Sequence, residues 1–171
     1  MGIDVSGLLV YGYDLGGSEE SWKILQADEW GTPEVDWYAE PENDEEVEYG
    51  LGDYAGFAGA MWDRLVAASG FTEIATEADY GGYYDRRREF EKAMGVELVD
   101  YGHCDFTSYI LAAPRQITAY LGEVTPVNME ELQSMLFTFK WDQKLRDALE
   151  KIGITPKQEK PTWLLASSYG G

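Results

Sequence analysis

Between Asp28 and Gly52 the chain offers little from which a helix or strand can be built. Pro33 and Pro41 interrupt it, glycines loosen it, and its densest part reads Glu40-Pro41-Glu42-Asn43-Asp44-Glu45-Glu46-Val47-Glu48. Clustered like charges resist compact packing and proline removes a ladder donor, so 28–52 reads as a long, solvated, partly ordered loop. Loops of that length are uncommon in compact domains, where they carry function or motion. The core must then come from a short run before the loop and from the regular pattern after Asp53.

The 171 residues fit one domain, 1–171, and the high aromatic share of 14% argues against disorder of the whole. The net charge of −19 is unevenly spread: positions 1–60 hold 15 acids against one base, Lys23, whereas 61–171 hold 17 acids and 12 bases. Such a field repels nucleic acid, anionic lipid and acidic substrates, and attracts basic protein surfaces or cations. Direct nucleic-acid binding is excluded, because phosphate neutralisation needs clustered Lys and Arg. The single cysteine, Cys104, fits a reducing compartment. With no basic leader and no apolar run of about 18 residues, neither signal peptide nor membrane span is expected, and the location expected is cytoplasmic. The opening Met1-Gly2-Ile3-Asp4-Val5-Ser6 matches the loose myristoylation pattern, but no polybasic second anchor follows it.

Gly7-Leu8-Leu9-Val10-Tyr11-Gly12-Tyr13 reads as a first strand closed by the turn Asp14-Leu15-Gly16-Gly17. Positions 18–25 suit one or two helical turns capped by Ser18. After Asp53 the apolar positions Phe57, Met61, Leu65 and Ala68 follow the helical period, with Gly70 as the stop. A short strand is expected over 71–76, then a helix over 83–94 facing Phe90, Ala93 and Met94 inward and ending at Gly95. Strands over 96–101 and 106–113 flank the four residues Gly102-His103-Cys104-Asp105, the spacing of a hairpin. Positions 116–121 add a strand. Asn128 and Glu131 sit at capping-box spacing ahead of one long helix with the stripe Leu132, Met135, Leu136, Phe139, Leu145, Leu149 and Ile152. A closing strand covers 162–169. This order, without strict βα alternation, predicts an α+β fold: two layers, a mixed or antiparallel sheet with helices packed on one side.

Candidate chemistry is sparse. Gly50-Leu51-Gly52-Asp53-Tyr54-Ala55 satisfies a dinucleotide fingerprint, yet the acids before it and Asp53 at the anion position oppose phosphate. His103, Cys104 and Asp105 form the one place where a nucleophilic triad could be centred, although neighbours in an extended chain face opposite ways; the plainer reading is a hairpin turn. The acids 40–48 lack the ligand spacing of an EF-hand. Asp85-Arg86-Arg87-Arg88-Glu89 is the only concentrated basic stretch, and pairing of at least one arginine with acids of the N-terminal third is expected. Trp22, Trp30, Trp37 and Tyr38 lie within or beside the acidic region, among acids without bases, which suits a protein-facing surface better than a nucleic-acid one. Trp62, Trp141 and Trp163 fall on regular elements and are assigned to the core.

Three runs carry a resemblance: Met1-Gly2-Ile3-Asp4-Val5-Ser6 leading to Leu8, Val10 and Gly12; Gly102-His103-Cys104-Asp105-Phe106 before Tyr109-Ile110-Leu111-Ala112-Ala113; and Trp163-Leu164-Leu165-Ala166-Ser167-Ser168-Tyr169. In them the chain resembles a group of small acidic proteins of actinobacterial bacteriophages. The resemblance implies a phage protein acting inside a bacterial host and brings no activity and no site residues with it.

The expectation is a non-enzymatic binding protein whose acidic third meets a basic surface of a host protein, through Glu40, Glu42, Asp44, Glu45, Glu46, Glu48, Trp30, Trp37 and Tyr38. An inhibitor of a host defence factor, imitating nucleic acid with spaced carboxylates, is its sharpest form. The plain alternative is acidity that only confers solubility. The others are a small enzyme centred on His103, Cys104 and Asp105, and a phage structural or assembly protein. No cofactor and no metal is called for.

Overall fold

The computed structural model describes residues 4–17, 21–39, 56–103 and 105–170. The fold is α+β, with a mixed six-stranded sheet and, among the described residues, four α-helices. In chain order the elements are β1 (Asp4–Gly17), β2 (Ser21–Trp22), α1 (Gly56–Ala68), α2 (Tyr80–Met94), β3 (Glu97–His103), β4 (Phe106–Ala112), β5 (Ile117–Tyr120), α3 (Met129–Thr138), α4 (Trp141–Ile152) and β6 (Thr162–Gly170).

The first strand is the hub. Its first half pairs antiparallel with β6, from Asp4↔Gly170 to Gly12↔Thr162, and on the opposite edge with β5, from Ser6↔Tyr120 to Leu9↔Ile117. Its second half pairs with β4, from Gly12↔Ala112 to Gly17↔Ser108, and with β2 at Gly16↔Trp22. β4 and β3 form a hairpin, and β3 ends parallel to β6 at Gly102↔Ser168 and His103↔Tyr169. The pairings β1–β4–β3–β6–β1 thus close a ring, and the sheet curls back on itself.

Side chains alternate across a strand, so curling gives the sheet two dissimilar faces. Tyr11, Tyr13 and Leu15 of β1, Leu98 of β3 and Leu111 of β4 enter the larger core, where Phe57, Met61, Leu65 of α1 and Leu145, Leu149, Ile152 of α4 meet them. Leu8 and Val10 of β1, Val99 of β3 and Ile110 and Ala112 of β4 fill a smaller core made of strand residues alone, inside the curl. Helices cover one side, and the other side covers itself. Gly12 sits where β1 changes partner from β6 to β4; a Cβ there would run into the backbone of Leu111 and Ala112.

Several local expectations are corrected. Asp14-Leu15-Gly16-Gly17 is no turn: it continues β1 through a bulge between Asp14 and Gly16, where Gly16 takes the left-handed φ of 69° and Asp14 Oδ1 accepts its N–H at 3.0 Å. Within 18–25, residues 18–20 lie outside the described residues, and Ser21 and Trp22 form a strand in place of a helix, with Ile24 bridged to Pro156. Positions 71–76 form no strand, because Phe71 serves the end of α1. Its N–H reaches Val66 O and that of Gly70 reaches Ala67 O, the paired bonds of a Schellman stop. Ala93 of α2 is exposed; the helix buries Tyr83 and Arg87 instead. The expected long C-terminal helix is two helices, broken at Lys140 with φ 53°. The cap at Asn128 is present: its side chain accepts the Glu131 N–H at 3.1 Å.

Candidate functional site: an aromatic cleft beside an acidic turn

The 21–39 segment, which holds the first part of the expected loop, is built by its own backbone. Asp28 Oδ1 accepts the N–H of Trp30 and of Thr32, each at 2.8 Å, and Gly31 N–H reaches Asp28 O at 3.1 Å. Gly31 takes φ 82°, and its carbonyl receives Trp22 N–H, which ties the turn to β2. An Ala27↔Pro33 bridge closes the base. A turn clamped this way leaves the Trp30 indole pointing outward, 77% exposed.

Behind the turn lies a cleft of about 420 Å³, within the 300–1,000 Å³ of ligand-sized sites, and it is lined by Trp22, Trp30, Pro33, Tyr38, Phe57 and Tyr109 among others. The Trp22 ring lies parallel to Tyr109, 5.8 Å away, and edge-on to Phe57 at 4.7 Å. Tyr38 meets Phe57 edge-on at 5.1 Å. Trp37 stacks on Phe57 at 5.3 Å and carries the Arg64 guanidinium over its outer face at 5.1 Å. Burial raises the Tyr109 hydroxyl pKa, and the Asp100 charge adds to the shift. Aromatic residues from β2, the acidic turn, α1 and β4 thus converge on one cleft.

The charges around it are one-sided. Glu29, Glu34 and Asp36 are exposed, and none has a cation partner among the described residues. The arginine run of α2 is already engaged. Arg86 bonds Glu73 and Asp79 at 2.8 and 2.9 Å, the buried Arg87 bonds Asp63 and Glu91, and Arg88 lies 3.8 Å from Asp85. These partners lie between 63 and 91, so among the described residues the arginines do not pair with the N-terminal third. On α4 and just beyond it, positions 140–160 carry six bases against four acids, whereas positions 1–60 carry 15 acids against one base.

The structure separates the predicted residues into three groups. Trp30 and Tyr38 line the cleft, Trp37 is half-buried one ring deeper, and Trp22, expected at the surface, is instead buried in the core against Phe57. Glu40, Glu42, Asp44, Glu45, Glu46 and Glu48 lie outside the described residues, as do Cys104 and the glycine fingerprint 50–55. His103 and Asp105 are described and close: Asp105 N–H donates to His103 Nδ1 at 3.1 Å and the carboxylate stands 3.5 Å from the same nitrogen. His103 pairs with Phe106 in the ladder, so β3 runs on through Gly102 and His103, which were expected in the loop. The His103 ring also stacks on Tyr169 at 5.1 Å. These contacts tie the hairpin end to β6.

One polar constellation escaped the sequence reading. Asp14 accepts the Tyr101 hydroxyl and the Lys23 ammonium, each at 2.8 Å. Burial pushes the Asp14 carboxyl pKa up, but hydrogen bonds from Lys23, the Gly16 N–H and Tyr101 outweigh it and hold it below its usual value. A lone acid in an apolar strand was the available signal, masked by the turn-like run that follows it. A larger cavity of about 660 Å³ between α2, β3 and β5 mixes Arg88 and Lys92 with Glu91, Glu97 and Asp100. Two of its acids are engaged: Glu91 with Arg87, and Glu97 with Gln116.

Among the described residues no group of three or more His, Cys, Asp or Glu is placed to hold a metal ion, and no helix is long and apolar enough to cross a membrane. Comparison with protein-family models, curated proteins and solved structures gave no match.

Proposed function

We propose that this protein is a non-enzymatic acidic binding protein whose N-terminal face engages a basic surface of another protein. One observation carries the reading: Trp30 is exposed on a clamped turn between Glu29 and Glu34, with Asp36 beyond, and these carboxylates have no cation partner among the described residues. Unpaired charge on an ordered turn steers a basic partner and fixes its register, while an exposed indole supplies the apolar anchor common at interfaces. The acids 40–48 follow in sequence and extend the same charge. Within this class, the sharpest form is an inhibitor of a host defence factor that presents spaced carboxylates where nucleic acid presents phosphates.

The test is co-purification from a bacterial lysate, followed by direct binding of the recovered partner. Binding must weaken steeply as salt rises from about 50 to 500 mM, because surface charges more than a Debye length apart become screened. It must also fall with Glu29→Gln, Glu34→Gln and Asp36→Asn combined, and further with Glu42, Asp44, Glu45, Glu46 and Glu48 neutralised. A partner held equally well by the neutralised variants, or at high salt, overturns the reading.

A further inference from the structure

We infer that the aromatic cleft seats an arginine side chain of the basic partner. The inference rests on the acidic-surface reading and adds what enters the surface. At about 420 Å³ the cleft is on the scale of a side chain or small ligand, below that of a docked helix. Among its rings Trp30 offers a largely exposed indole, while Trp22 and Tyr109 lie parallel to each other. Charge complementarity sets the sign of the occupant. Glu29 and Glu34 flank the lining run 30–33, and Asp36 stands two residues before Tyr38, so an anionic or phosphate-bearing ligand is repelled and a cation is drawn in.

The choice of arginine over lysine follows from the lining. A guanidinium is flat, weakly hydrated and stacks on aromatic faces, whereas an ammonium is compact and holds its water strongly. The fold already makes this contact one ring away, where Arg64 lies over Trp37, itself stacked on the Phe57 that lines the cleft. An incoming arginine on Trp30 would repeat that arrangement on an exposed indole. The carboxylates of the turn would then meet the guanidinium edge.

Hexa-arginine and hexa-lysine peptides carry equal charge and separate the two readings, with affinities measured by calorimetry at about 150 mM salt. Hexa-arginine is expected to bind tighter by about fivefold or more, the scale of one cation–π contact. Trp30→Ala, at an exposed position, should remove most of that preference, lowering hexa-arginine affinity severalfold more than hexa-lysine affinity. Equal affinities for the two peptides, or a preference that survives Trp30→Ala, overturn the arginine inference while salt-sensitive binding of both keeps the acidic-surface reading. Binding of neither peptide overturns both.

Discussion

The Tyr101 hydroxyl donates to Asp14 Oδ1 at 2.8 Å and so joins β3 to β1 across the intervening β4. Lys23 holds the second carboxylate oxygen at 2.8 Å from just beyond β2. β1, β3 and the residue just after β2 are thereby fixed to one side chain at the end of the curled sheet. Hydrogen bonds to a charged group contribute about 1.5–3 kcal/mol, and this carboxylate is half-buried, so its partners matter to the closed ring.

The network makes stability depend on pH at both ends. The Asp14 carboxyl pKa is depressed in the fold, so its contribution is complete above the ordinary carboxylate value of about 3.9 and is lost as pH falls through the folded value. Burial, then the bond to Asp14, pushes the Tyr101 hydroxyl up to about 12. Its contribution is complete below the unfolded value of about 10 and is lost as pH rises toward the folded one. Urea midpoints at pH 3, 7 and 11 should show both losses. Asp14→Asn should flatten the acid limb, and Tyr101→Phe the alkaline limb, with a cost of about 1–3 kcal/mol at pH 7. A Tyr101→Phe protein with unchanged alkaline slope contradicts the assignment.

The arginine run predicts unequal losses from adjacent residues. Arg87 is 5% exposed and forks between Asp63 and Glu91, and Glu91 also accepts the Trp62 indole N–H at 3.1 Å. Removing it strands two carboxylates beside the core, at a cost of about 3 kcal/mol, the lower end for a broken buried pair because Asp63 is partly exposed. Arg87→Lys should recover only part, since one ammonium cannot reproduce the fork. Arg88→Ala, on a side chain 67% exposed, should change stability by no more than about 0.5 kcal/mol. Equal losses from Arg87→Ala and Arg88→Ala in chemical denaturation would contradict this account.

These contrasts follow what was legible in the sequence. The stops at Gly70 and Gly95 and the cap at Asn128 are local signals, and each is found where the sequence places it. The sheet's closure is not local: it depends on β1 changing partners at Gly12, and nothing in a strand's own residues names its neighbours. Asp14-Leu15-Gly16-Gly17 has turn composition, yet Asp14 and Gly16 make a bulge that lets β1 run on. At the cleft, Trp30, Trp37 and Tyr38 stood out as aromatics among acids. Phe57 and Tyr109 did not, because each also fits a plain core pattern on its own element.

Two glycines without positive φ give opposite predictions. At Gly12 a methyl group meets β4 backbone that cannot yield without breaking the pairing. Gly12→Ala should therefore cost about 3 kcal/mol, the upper end of the range for overpacking. Gly81 lies inside α2 with nothing within 4 Å of a built Cβ. Gly81→Ala should stabilise by about 0.5–1 kcal/mol, through helix propensity and a less free unfolded chain. Guanidinium midpoints of the two variants should move in opposite directions; a shared direction would show that space around the Cβ does not govern either site.

Lys140 separates α3 from α4 with φ 53° and ψ 45°, a left-handed conformation that strains any residue with a Cβ. The break has a packing consequence: it turns Trp141 inward, where the ring meets Tyr11 at 6.2 Å and Trp163 at 6.4 Å. The apolar stripe hints at it, since the step of six from Phe139 to Leu145 exceeds every other step in it, none of which is longer than four. Lys140→Gly should raise stability by about 0.5–1 kcal/mol, because relief of the strain exceeds the added freedom of the unfolded chain. Lys140→Val, β-branched at the same φ, should lower it by about 1 kcal/mol or more. Thermal midpoints ranked Gly above Lys above Val confirm a rigid break; a Val variant at least as stable as the parent would mean that the two helices rejoin as one.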